Sequence, residues 1–137
     1  MTTQNNGNKR RALVVEDEPM ISRVCERVLI IEGFDVDCAS DGLAAKEIIN
    51  SYAYELCLSD IRTPGMNGIE FYQYLEQEHP ELINRTIFTT GDLLSPAIKD
   101  FLGMENITFI PKPFTPYDLK KKVREVIDRQ ACLQSEI

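Results

Sequence analysis

Apolar residues along this chain follow two alternating patterns. The first is a set of short runs: Arg11-Ala12-Leu13-Val14-Val15, Phe34 to Ala39, Glu55 to Ser59, Arg85 to Thr90 and Ile107 to Ile110. Runs of this length, rich in β-branched, aromatic and small apolar residues, predict strands. Phe34, Val36 and Cys38 alternate with Asp35 and Asp37, which suits a strand at a sheet edge. The second pattern is a spacing of three and four. It joins Ile21, Val24, Cys25, Val28 and Leu29; then Ala44, Ala45, Ile48, Ile49 and Tyr52; then Phe71, Tyr72 and Leu75; and last Leu119, Val123, Val126 and Ile127. Each set is one face of a helix.

The residues between these runs punctuate them. Pro19 fits the first turn of the first helix and Gly33 its end. Ser40 or Asp41 can cap the second. Thr63-Pro64-Gly65-Met66 is a turn, because Pro presets φ and Gly supplies φ > 0. Asn67 with Glu70 forms a capping box that starts a third helix at Gly68, and Pro80 stops it after about His79. Ser95-Pro96 opens a short helix that Gly103 closes. Thr115-Pro116 opens the last one, with Asp118 in its first turn.

Strands and helices therefore alternate five times, which implies a parallel sheet with helices on both faces. In such a sheet all strand C-terminal ends share one edge, the edge at which ligands bind. Strand one delivers Glu16 and Asp17 there, strand three Asp60, strand four Thr90 and strand five Lys112.

Composition narrows the function. A chain of 137 residues with 43% hydrophobic and 27% charged residues fits one globular domain. The net charge of −7 argues against sequence-independent DNA binding, which needs Lys and Arg to replace counterions. No apolar run is long enough to span a membrane, and the N-terminus lacks a signal-peptide core, so a cytoplasmic protein is expected. Cys25, Cys38, Cys57 and Cys132 have no metal-binding spacing; the first three lie in apolar patterns and are expected as buried free thiols. Residues 1–10 are expected as a disordered tail, 11–130 as the domain and 131–137 as a C-terminal tail.

Three carboxylates packed together repel, so they stay ionised only beside a cation. All-oxygen donors suit Mg²⁺, which keeps coordination positions for a phosphate ligand. A lysine and a hydroxyl opposite would meet phosphoryl oxygens. This constellation fits a phosphoryl group carried on Asp60 as nucleophile.

Over Arg11 to Arg129 the chain resembles the receiver domain of bacterial two-component response regulators. The resemblance rests on Val14-Val15-Glu16-Asp17-Glu18-Pro19, on Ser59-Asp60 with Pro64-Gly65-Met66-Asn67-Gly68, on Thr89-Thr90-Gly91 and on Pro111-Lys112-Pro113-Phe114. It implies a (βα)5 flavodoxin-like three-layer sandwich of strand order 2-1-3-4-5. It implies that Asp60 is phosphorylated by a sensor histidine kinase or a histidine phosphotransfer protein. Mg²⁺ would be held by Asp17, Asp60 and the backbone carbonyl of Arg62, with Glu16 acting through water. Lys112 and Thr90 would bind the phosphoryl group, and Thr90 and Phe109 would form the switch. The implied reader is the face of helix four, strand five and helix five, offered to an unknown protein target or a second copy, with no direct DNA or membrane contact. Beyond its own phosphorylation and dephosphorylation no catalysis is implied. Glu16 stands where Asp is more frequent, Thr63 where Met is common, and Phe109 carries no hydroxyl, but none of the active-site groups is missing.

Other readings are weaker. A phosphohydrolase of the haloacid dehalogenase type needs an Asp two residues after its nucleophile, where Arg62 stands. A mononucleotide-binding protein of flavodoxin-like fold would need a phosphate-cradling loop after strand one, where Glu16-Asp17-Glu18 would repel phosphate. Phe109 is also readable as plain core, His79 as a side chain meeting the helix dipole, and Lys120, Lys121, Lys122 and Arg124 as a solvated face. Only eight residues follow Arg129, so a stand-alone receiver or a receiver cut from a hybrid kinase is expected. Arg62 and Asp92 follow Asp60 and Thr90 by two residues, and an Arg62–Asp92 bridge is expected to slow dephosphorylation.

Overall fold

In a computed structural model, which describes residues 10–135 and side chains through 129, the predicted alternation is realised. The strands are β1 (Arg10–Val15), β2 (Phe34–Ala39), β3 (Leu56–Asp60), β4 (Thr86–Thr90) and β5 (Thr108–Pro111). The helices are α1 (Pro19–Ile31), α2 (Gly42–Ile48), α3 (Gly68–Glu78), α4 (Pro96–Leu102) and α5 (Pro116–Ser135). All strand pairs are parallel, and the order is β2-β1-β3-β4-β5. Strand order reverses between β1 and β3, which opens a crevice at their C-terminal ends.

Two apolar layers cover the sheet. Ala12, Val14, Leu56, Leu58 and Ile87 meet the inner faces of α1 and α5 at Cys25, Val28, Leu29, Leu119, Val123 and Val126. Leu13, Val15 and Cys57 point the other way, to Ala45 and Ile49 and to Phe71 and Leu75 of α3. A third cluster joins Ile61, Tyr72, Phe88, Ile98 and Phe101 under α4. Burying an aromatic such as Phe71 or Phe88, each nearly inaccessible, contributes roughly 1.5–3 kcal/mol.

Three of the predicted caps hold, while Ser95, at the N-cap of α4, makes no side-chain cap bond. Asp41 caps α2, accepting the Ala44 N–H at 2.9 Å, and Asn67 and Glu70 form a reciprocal capping box. Thr115 and Asp118 exchange bonds of 3.0 Å at the start of α5. Gly33 and Gly65 have φ of +101° and +72°, a region that L side chains avoid.

The differences have local causes. Arg85 belongs to a 3₁₀ turn, Pro80–Arg85, because Pro80 ends α3 without forcing the chain straight into the next strand. Gly103 closes α4 with φ of −84°, and the left-handed residue of that connection is Asn106, at +72°. Val24 is exposed; it lies with Met20 and Ile21 beside Pro113 and Phe114, not over the sheet. Tyr52 is exposed as well, because α2 stops at Ile48; its ring lies 3.9 Å beneath the Arg11 guanidinium. Cys25 and Cys57 are buried, and burial pushes both thiols up to about 12; Cys38 is exposed, because β2 is an outer strand. His79 meets side chains: its Nε2 is 2.8 Å from Asn50 Oδ1 and its Nδ1 is 3.6 Å from Glu81. In the basic run, Lys122 lies near Glu125 and Arg124 pairs with Glu32 of the α1 cap. Helix α5 continues through Ser135, into the stretch expected as a tail, while most of residues 1–10 and the side chain of Cys132 lie outside the described residues.

Candidate functional site

Backbone bonds beyond the strands fix the edge on which the acids stand. Glu16 N–H donates to Ala39 O at 2.9 Å, Ile61 N–H to Thr89 O at 3.0 Å and Lys112 N–H to Thr90 O at 2.9 Å. The residues after β1, β3 and β5 thus stay tied to the neighbouring strand. The β3–α3 turn is held by the Thr63 hydroxyl, which donates to Met66 O at 2.8 Å, and by Gly68 N–H, which donates to Ile61 O at 2.8 Å. Gly68 is required there, because a Cβ would stand 2.7 Å from Ile61 Cα and 2.8 Å from Asp60 O.

Glu16, Asp17 and Asp60 converge, with carboxylate oxygens all within 4.8 Å of one another. Glu16 and Asp60 are buried and Asp17 is exposed. Lys112 reaches across, its Nζ 3.0 Å from Glu16 Oε1, 3.0 Å from Asp60 Oδ2 and 3.6 Å from Glu18 Oε1. Arg62 N–H donates to the other Asp60 oxygen at 3.2 Å. Burial pushes Glu16 up to about 7; the Lys112 bond opposes that shift and the Asp60 charge adds to it. Burial works against the Lys112 charge, but its bonds to Asp60 and Glu16 outweigh it and raise the ammonium pKa. One lysine therefore leaves this cluster short of positive charge. Hard oxygen donors with unmet negative charge fit a divalent cation such as Mg²⁺.

A cleft of about 360 Å³ opens over these groups, lined also by Thr90 and Asp92. Thr90 is buried, and its Oγ1 accepts the Asp92 N–H at 3.0 Å. The Arg62 guanidinium pairs with Asp92, so the expected bridge exists at the mouth. That guanidinium, helped by the Ser95 and Leu94 N–H groups, holds the Asp92 carboxyl below the usual carboxylate range. Phe109 lies outside the cleft, half-buried against the cluster under α4. Beside Lys112 a second, apolar cleft of about 560 Å³ is lined by Met20, Ile21, Val24, Pro113 and Phe114. The Glu18 contact and this apolar cleft do not follow from the sequence pattern, in which the apolar residues Met20, Ile21 and Val24 lie far along the chain from Pro113 and Phe114.

A family model described as the response regulator receiver domain matches residues 12–124. The transcriptional regulatory protein TctD of Salmonella typhimurium is 32% identical over 127 residues, covering 93% of this chain and 56% of TctD. The aerobic respiration control protein ArcA of Escherichia coli is 30% identical over 119 residues, covering 85% of this chain and 48% of ArcA. The chain spans about half the length of these relatives. Among solved structures, a CheY-like response regulator receiver domain protein from Methanospirillum hungatei superposes with a TM-score of 0.78 at 28% identity, covering 90% of this chain and 97% of that one.

Proposed function

The chain belongs to the response regulator receiver domain family of two-component signalling, and on that premise we propose that Asp60 accepts a phosphoryl group from a histidine of a sensor kinase or a phosphotransfer protein. The observation that carries this reading is the Lys112 ammonium, 3.0 Å from both Asp60 and Glu16 at the floor of an open cleft. A carboxylate oxygen of Asp60 attacks phosphorus in line. The bond from phosphorus to the donor imidazole breaks, and its electron pair returns to that nitrogen. With the other ring nitrogen of the donor carrying a proton, the products are an acyl phosphate on Asp60 and a neutral histidine on the donor.

Mg²⁺, held by Asp17, Asp60 and the Arg62 carbonyl with Glu16 alongside, would neutralise charge on the transferring group. Lys112 binds one phosphoryl oxygen, and the Thr90 hydroxyl turns to another. Phe109 follows, its half-buried ring shifting with Thr90, and the face of α4, β5 and α5 changes for a protein target or a second copy of the chain. The apolar cleft beside Lys112 supports a protein donor docking close to the site.

Receiver domains are signalling modules, and we assign this chain no turnover beyond its own phosphorylation and dephosphorylation. Its net charge of −7 favours a protein target over DNA. We assign the chain a cytoplasmic site of action on the premise of its family; among the described residues no helix is long and apolar enough to cross a membrane. The test is intact mass after incubation with acetyl phosphate. One added phosphate is expected with Mg²⁺, and none with EDTA or in Asp60→Asn, whose amide cannot attack phosphorus.

We assign Arg62 and Asp92 to the lifetime of that phosphate. Hydrolysis needs a water in line, opposite Asp60, and the Arg62–Asp92 bridge stands at the mouth through which it must enter. Faster decay is expected in Arg62→Ala and in Asp92→Ala, with little further change in the double variant. Slower decay in Asp92→Ala would mean that Asp92 orients the water, and the bridge would not be the barrier.

A further inference from the structure

Asp92 is bonded to three separate parts of the molecule. Its Oδ2 pairs with the guanidinium of Arg62, two residues past Asp60. Its Oδ1 accepts from Leu94 N–H at 3.2 Å and from Ser95 N–H at 3.1 Å. Its own N–H donates to Thr90 Oγ1 at 3.0 Å. Ser95 occupies the N-cap position of α4 but makes no side-chain cap bond, and Pro96 follows with no N–H to cap. The entry into α4 is therefore set by the Asp92 carboxylate.

A phosphoryl group on Asp60 brings roughly −1.5 to −2 charge into the cleft that Asp92 lines. Three changes then converge on one residue. The new charge repels the Asp92 carboxylate. Arg62 gains a second anion within reach of the same side chain. A Thr90 hydroxyl that rotates toward the phosphoryl oxygens gives up the Asp92 N–H.

We propose that Asp92 is a positioning residue that carries the phosphorylation state of Asp60 into the start of α4 and the adjoining Leu93–Leu94 surface, through its simultaneous bonds to Arg62, Thr90, Leu94 and Ser95. This rests on the phosphoacceptor reading of Asp60. Leu94 is 88% exposed and Leu93 41%, so a shift of this loop alters an apolar surface that a partner can touch. The route shares Thr90 with the Phe109 switch but reaches α4 through the loop before its first turn, whereas Phe109 lies on β5 and packs beneath α4.

The test uses the full chain, ¹⁵N-labelled and saturated with beryllofluoride and Mg²⁺ as a phosphoryl analogue, with saturation followed by ¹⁹F resonances. In wild type the amides of Arg62 and Gly91 and those of Leu94, Ser95 and Ile98 are expected to move. In Asp92→Ala the shifts at Leu94, Ser95 and Ile98 are expected to be about threefold smaller, within the range that substitutions along a coupling route produce. Asp92→Asn keeps an oxygen for Leu94 and Ser95 but loses the charge, and it is expected to fall between the two. A wild-type-sized response at Leu94, Ser95 and Ile98 in Asp92→Ala, or no response there in wild type, would overturn this inference alone. No response at Arg62 and Gly91 in wild type would overturn the phosphoacceptor reading, and this inference with it.

Discussion

Lys112→Met is expected to lose about 3–5 kcal/mol of stability in metal-free buffer, the scale for breaking a buried ion pair from one side. Its ammonium touches two side chains that are themselves only 3% and 6% exposed, Glu16 and Asp60. Methionine fills most of the same volume, so the loss isolates the charge from the packing. With the lysine gone, Glu16, already at about 7 through burial, rises further. A carboxyl whose folded pKa lies above its unfolded value is tolerated while protonated and costs stability as pH rises through the folded value. The deficit of Lys112→Met should therefore be smaller at pH 6 than at pH 8. On the proposed function Mg²⁺ would supply the missing positive charge, so the urea midpoint of the variant should rise with added Mg²⁺ by more than that of wild type. Equal midpoints for variant and wild type in EDTA at pH 8 would show that Lys112 is not what keeps these carboxylates buried.

Gly68→Ala is the second large effect. Overpacking costs typically about 1–3 kcal/mol, and here the added Cβ would stand 2.7 Å from Ile61 Cα and 2.8 Å from Asp60 O. Both are backbone atoms, so no side chain can yield. Relief requires moving the chain at Asp60 itself, and a displacement of that kind can cost about 10²-fold in rate. Labelling by acetyl phosphate should slow together with the drop in urea midpoint. Gly33→Ala is the control. It is strained by its φ of +101°, but its Cβ would meet nothing within 4 Å, and the residue lies at the opposite end of the sheet. Stability should fall there while the labelling rate holds. A wild-type labelling rate in Gly68→Ala would mean that the turn does not position Asp60.

These expectations rest on features of unequal legibility in the sequence. The five strands and most of the helix starts were readable because local chemistry decides them: Asn67 with Glu70, Thr115 with Asp118 and Gly65 in its turn act over a few residues. The meeting of Glu16, Asp17, Asp60, Thr90 and Lys112 was readable because parallel topology sends every strand end to one edge. Burial of single residues was less so. Helical spacing placed Val24 inward, yet that part of α1 faces the β5–α5 connection, and nothing in the spacing fixes how a helix is rotated on its sheet. Cys38 fits the alternation of β2, but an outer strand leaves part of its inner face uncovered. The bonds of Asp92 to Leu94 and Ser95 are hidden in the sequence because Ser95-Pro96 looks like a complete cap by itself, whereas in the fold the serine side chain makes no such bond.

The account stands on Asp60 as the acceptor, and one chemical measurement reads that residue directly. An acyl phosphate of aspartate is reduced by borohydride to homoserine, whereas a free carboxylate is not. Wild-type protein treated with acetyl phosphate and Mg²⁺, then with borohydride, then digested and sequenced by mass spectrometry, should carry homoserine at position 60 and aspartate at positions 17 and 92. Homoserine at Asp17 or Asp92, or a phosphorylated protein with aspartate retained at position 60, would contradict the account.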